Sequence, residues 1–72
     1  MIVVGNMTEN MKNREVLFEY RQIGNLMRVT AVDVATMTEI VVQCPVSAGE
    51  ALFQKQGLAR LEYVLRKNGK IS

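Results

Sequence analysis

Between residues 14 and 34 the chain reads REVLFEYRQ, IGN, LMRVTAVDV, two runs of alternating apolar and polar side chains around a Gly-Asn pair. Alternation with period two marks a half-buried strand, and a two-residue Gly-Asn spacer marks a tight hairpin. Gly24 can take the positive φ that the first central position of a type II′ turn requires. Closing the chain there sets Ile23 opposite Leu26, and outward from it one surface sets Gln22 opposite Met27, Tyr20 opposite Val29 and Phe18 opposite Ala31. On the other surface Arg21 meets Arg28, Glu19 meets Thr30 and Leu17 meets Val32. One side is mostly apolar and the other mostly polar, as in an antiparallel sheet covered on one face.

A second alternating stretch, Glu39–Cys44 (EIVVQC), is β-branched and predicts a third strand. A four-residue loop Ala35–Thr38, in a segment rich in Asp and Thr, would place Ile40 opposite Asp33, Val42 opposite Ala31 and Cys44 opposite Val29. Ile40, Val42 and Cys44 then join Phe18, Tyr20, Val29 and Ala31 on one face. Pro45 closes the strand by removing a ladder donor. Ser47-Ala48-Gly49-Glu50 reads as a capping box opening a helix from about 48 to 68, roughly 30 Å long. Arg66 and Lys67 suit its negative end, and Gly69 suits the left-handed position just beyond it.

The expected architecture is therefore α+β: a three-stranded antiparallel β-meander (about 14–22, 26–34 and 39–44) followed by one C-terminal α-helix packed on one sheet face. It makes a single β-β-β-α domain over 14–68, with a loose C-terminus at 69–72 and a flexible tail at 1–13. Within that tail Ile2-Val3-Val4 offers an alternative edge strand or cover for the sheet, and Met7 and Met11 offer alternative starts.

The helix is apolar on more than one side. Leu52, Ala59 and Tyr63 form one stripe, while Ala51, Leu58, Leu61 and Leu65 form a second about a quarter to a third of a turn away. Gly57 sits between the halves and predicts either a kink or the close approach of another backbone. On the polar side of the sheet, Leu17, Val32 and Val41 form an apolar row. The surplus matters because 72 residues bury little. Domains of this size ordinarily gain stability from a disulfide, a metal or a second subunit.

Cys44 is the single cysteine and there is no histidine, so an internal disulfide is excluded and a zinc site is not expected. A second subunit is what remains. Leu17, Val32, Val41, Leu58, Leu61 and Leu65 are the candidate interface residues, serving a homodimer or an unknown protein partner. The alternative reading is nucleic-acid binding through Arg21 and Arg28, with Lys67 and Lys70 assisting. A net charge of +2 gives it limited support.

Neither enzymatic activity nor a cofactor is expected. Without His there is no Ser–His or Cys–His pair, and no phosphate-binding glycine motif occurs. Asp33 and Glu39 flank the second turn as carboxylates, but turn carboxylates ordinarily cap backbone or face solvent. Cys44 falls on the apolar face, where a thiol acts as a small hydrophobe. No run reaches the eighteen or so apolar residues of a membrane span, and a lone cysteine suits a reducing compartment, so a cytoplasmic location is expected.

The stretch EVLFEYRQIGNLMRVTAVDVATMTE, with ALFQKQGLARLEYVL after it, resembles a family of short bacterial proteins catalogued only as a domain of unknown function. The likeness spans Arg14–Lys67. It rests on the E-Y-R…G-N hairpin and on the D-x-x-T-x-T-E turn formed by Asp33, Thr36, Thr38 and Glu39. Gly is usual in that family where this chain has Met37, which implies a less tight second turn. The resemblance brings no activity, cofactor or catalytic residue with it.

Overall fold

The computed structural model describes the backbone of Ile2–Gly5 and residues 14–71. Its elements are β1 (Ile2–Gly5), β2 (Val16–Ile23), β3 (Leu26–Asp33), β4 (Thr38–Pro45), a 3₁₀ turn (Val46–Ala48) and α1 (Glu50–Lys67). Among the described residues the strands form one antiparallel sheet in chain order. The three-stranded meander and the C-terminal helix are the elements that the alternation predicts. The sheet is wider by one strand. Ile2–Gly5, in the stretch read as a tail, pairs along β2 with Ile2 opposite Glu19 and Gly5 opposite Val16. The rest of that stretch lies outside the described residues.

The first hairpin has the expected register, from Ile23 opposite Leu26 to Leu17 opposite Val32. Gly24 carries a φ of +60° at its turn. The second hairpin differs. Its loop is Val34–Met37, so Asp33 faces Thr38, Ala31 faces Ile40, Val29 faces Val42 and Met27 faces Cys44. Every β4 residue therefore lies two positions from its expected partner. A slip of two keeps each side chain on its face, since the pleat repeats every two residues. The same core results: Phe18, Tyr20, Val29, Ala31, Ile40 and Cys44 are all buried.

The slip has a local cause. The Asp33 carboxylate accepts hydrogen bonds from the Thr36 backbone N–H (3.2 Å) and the Thr36 hydroxyl (2.6 Å), drawing the loop back over the end of β3. Closing it this early requires a left-handed residue, and Met37 supplies one at φ +55°.

The helix begins two residues later than the capping box implies. Ser47 lies in the 3₁₀ turn, and Gly49 stands at the helix N-terminus with φ +90° and no side-chain cap. A backbone bond from Val46 N–H to the Asn25 carbonyl ties this turn to the first hairpin. At the other end Gly69 N–H bonds to the Arg66 carbonyl and Lys70 N–H to the Leu65 carbonyl. With Gly69 at φ +74°, this is the left-handed termination the sequence announces. Ile71 then folds back, half-buried, against the core.

The helix packs over β3 and β4 through Phe53, Gly57, Leu58, Leu61 and Leu65. Gly57 marks close approach rather than a kink. A Cβ built there would lie 3.2 Å from Cε1 of the Phe18 ring and 3.5 Å from Cγ1 of Val29. The missing side chain is what lets helix and sheet touch.

Candidate interaction surface

Because α1 occupies one side of the sheet, the other side displays the alternate residues of β2, β3 and β4. Strand pairing arranges them in rows: Ile23–Leu26–Pro45, then Arg21–Arg28–Gln43, then Glu19–Thr30–Val41, then Leu17–Val32–Glu39. The expected straight row of Leu17, Val32 and Val41 is therefore broken. The slip in β4 puts Glu39 beside Val32 and moves Val41 one row along, next to Thr30. Val41 remains a diagonal neighbour of Val32, within reach for side-chain contact.

This face carries a depression of about 340 Å³, rimmed by the exposed Glu19, Arg21, Arg28 and Glu39 over the half-buried Leu17, Thr30 and Val32. Val41, at 40% exposure, and Ile23 and Leu26, at 51% and 44%, are the large apolar side chains this face leaves open to water. No described element lies over it.

The second half of the expected interface is not on the surface. Leu58, Leu61 and Leu65 are 0–1% exposed and form the helix side of the core. Together with Phe53 and Gly57 they make one face that fits one sheet, so the stripe expected to be spare is the packed one. Leu52 is half-buried, while Ala59 and Tyr63 are exposed. Tyr63 lies under Arg60, whose guanidinium carbon is 5.5 Å from the ring centre.

The basic residues also separate. Arg21 and Arg28 are strand partners on the open sheet face, whereas Lys67 and Lys70 lie at the C-terminal end of the helix, in the other layer. Among the described residues neither arginine makes an ion pair, not even Arg28 with the diagonal Glu19.

The two turn carboxylates likewise point apart. Asp33 is fully buried on the helix side, and Glu39 is exposed on the open side. Asp33 accepts two hydrogen bonds from Arg14, Nε to Oδ1 at 3.1 Å and Nη2 to Oδ2 at 2.9 Å, besides those from Thr36. Thr36 and Thr38 hydroxyls, 2.7 Å apart, complete the cluster. Burial alone would raise the Asp33 pKa, but the Arg14 guanidinium and the Thr36 donors outweigh it and hold the carboxyl below its ordinary value. Every acceptor is satisfied from within, so this cluster locks a turn. The sequence does carry a trace of it: Arg14 and Asp33 continue the buried side of β2 and β3 as polar residues.

Cys44 is buried, as the register implies. In the same core cluster, the Tyr20 hydroxyl has no hydrogen-bond partner among the described residues. Burial pushes its pKa up. Gln54 on α1 draws it back slightly from outside hydrogen-bonding geometry, and the Glu50 charge adds to the rise. Among the described residues no three His, Cys, Asp or Glu side chains gather as a metal site would require. No described helix is long and apolar enough to cross a membrane.

The turn cluster and the meander it locks lie inside a region that a known family model matches, residues 13–68. The chain belongs to the DUF6898 family, a domain of unknown function. No curated protein and no solved structure matches it. The DUF6898 region takes in β2, β3, β4 and α1 and leaves out β1. It therefore contains the Arg14–Asp33 clamp, the core and the whole open face of the meander.

Proposed function

We propose that this DUF6898 domain is a non-enzymatic interaction module that self-associates through the open face of its sheet. The observation that carries the reading is the combination of uncovered apolar side chains (Ile23, Leu26, Val41) and unpaired charges (Arg21, Arg28) on a face no described element covers. Ile23 and Leu26 are strand partners at the hairpin end of this face, and Val41 lies beyond the Arg21–Arg28–Gln43 row, beside Thr30 and diagonal to Val32. Apolar side chains gathered on one face favour a partner where single scattered ones do not. The buried helix leucines narrow the reading to that face alone.

Sedimentation equilibrium at micromolar concentrations tests it. The expected result is a mass near twice 8.1 kDa that falls on dilution. Val41→Glu, at an exposed position, should shift the protein to the monomer while leaving its circular dichroism unchanged. A monomer of 8.1 kDa at every concentration overturns the reading.

The second reading is nucleic-acid contact through Arg21 and Arg28, favoured by their making no ion pair among the described residues. It loses Lys67 and Lys70, which lie in the other layer. If it holds, binding to DNA or RNA falls steeply with added salt and is weakened by Arg28→Ala. Absence of binding at low ionic strength ends it.

A further inference from the structure

The order of side chains along the open face says how a second copy would seat. Two sheets packed face to face keep their strands within about 30° of each other and stand about 10 Å apart. A symmetric pair then has two choices of twofold axis in the plane between them. An axis parallel to the strands reverses strand order and keeps the rows, which lays Arg28 on the partner copy's Arg28 and sets like charges together. An axis across the strands keeps strand order and reverses the rows.

Resting on the self-association reading, we infer that the second copy sits on the open face about an axis across the strands, between the Arg21–Arg28 row and the Glu19–Thr30 row. In that register Arg21 of each copy lies over Glu19 of the other. Ile23 lies over Leu17, and Leu26 over Val32. Charge meets opposite charge and the exposed apolar end of each hairpin meets the half-buried apolar floor of the other. Arg28 falls over Thr30, with Glu19 on the diagonal. This register covers the exposed Ile23 and Leu26 and gives Arg21, which makes no ion pair among the described residues, an acidic neighbour. On β4 it lays Val41 over Gln43 and Pro45 over Glu39.

The area is sufficient, with little to spare. Three eight-residue strands, each about 27 Å long and about 4.8 Å apart, give a footprint on the order of 400 Å² per copy. Accessible surface exceeds a flat footprint, which brings the pair to the neighbourhood of the ~1,000 Å² total where specific interfaces begin. The dimer is accordingly one that dissociates on dilution.

Charge reversal tests the register separately from the association. Arg21→Glu puts Glu over the partner's Glu19, and Glu19→Arg puts Arg over the partner's Arg21. Each variant of the full chain alone should dimerise at least tenfold more weakly than the unsubstituted protein. Mixing the two should restore a one-to-one heterodimer in native mass spectrometry, because both cross-contacts are then of opposite sign. The double variant should dimerise by itself. Both positions are exposed, so circular dichroism should be unchanged throughout.

If the unsubstituted protein dimerises but the mixture yields no heterodimer, or the single variants dimerise undiminished, the register is wrong and the association stands. If the unsubstituted protein is a monomer at every concentration, both fall.

Discussion

Asp33 shows what one buried charge costs and what holds it. A buried carboxylate is tolerated only when its hydrogen-bonding capacity is met, and here Arg14 and Thr36 supply four donors. Its folded-state pKa is lowered, so the stability it contributes is complete above the ordinary carboxyl value of about 3.9 and is lost as pH falls through the folded value. Asp33→Asn should therefore cost about 1–2 kcal/mol at neutral pH and flatten the acid limb. Urea melts between about pH 6 and pH 2 read both effects, with the two curves converging at the acid end. Met37 is the opposite case, a residue held in a conformation its side chain disfavours by roughly 1–2 kcal/mol. Its side chain is 74% exposed, so little packing is lost on removing it. Met37→Gly exchanges that strain for a smaller entropic cost in the unfolded chain. The expected gain is about 0.5 kcal/mol, seen as a rise in Tm of roughly 2–4 °C.

At the scale of elements, the helix is placed by an absence. Gly57 lets α1 settle until the ring of Phe18 fills the space a Cβ would need. Phe18 is fully buried and its ring centre lies 6.4 Å from that of Tyr20, which in turn meets Phe53 edge-on at 5.7 Å. Gly57→Ala gains about 1 kcal/mol of helix propensity and spends most of it moving that ring by a few tenths of an ångström. Its stability should stay within about 0.5 kcal/mol of the parent. Gly57→Leu has no room and should lose about 2 kcal/mol or more, measured by chemical denaturation. The same contact explains the helix periodicity. Leu58, Leu61 and Leu65 fall on the Gly57 side and are buried, and the Ala59–Tyr63 side is left to solvent.

For the whole molecule the consequence is a two-layer arrangement in which α1 covers one sheet face and no described element covers the other. A small domain draws its stability from a single core, and burying the second face is the means left to it for gaining more. If native dimer forms, mass action makes Tm depend on protein concentration. A tenfold rise in concentration should raise Tm measurably, and scanning calorimetry at two concentrations is enough to see it. Val41→Glu should abolish that dependence without lowering the Tm of the dilute protein.

What the linear chain settles here is whatever depends on period and on local turn chemistry. The Gly24–Asn25 hairpin, its register, the inward side of three strands and the Gly69 terminus all follow from neighbours a few residues apart, whose backbone geometry allows few alternatives. The packed structure alone decides the β4 register, because the side-chain hydrogen bonds of Asp33 move the four-residue loop one position earlier than turn composition suggests. It decides the helix start, where Gly49 displaces the Ser47 cap. It also decides which helix stripe is buried, since that turns on how closely Gly57 approaches Phe18, thirty-nine positions earlier in the chain. The candidate surface divides the same way. Its residues were legible from alternation, but their order on the open face, with Glu39 beside Val32 and Val41 beside Thr30, is a property of strand pairing that no single strand contains.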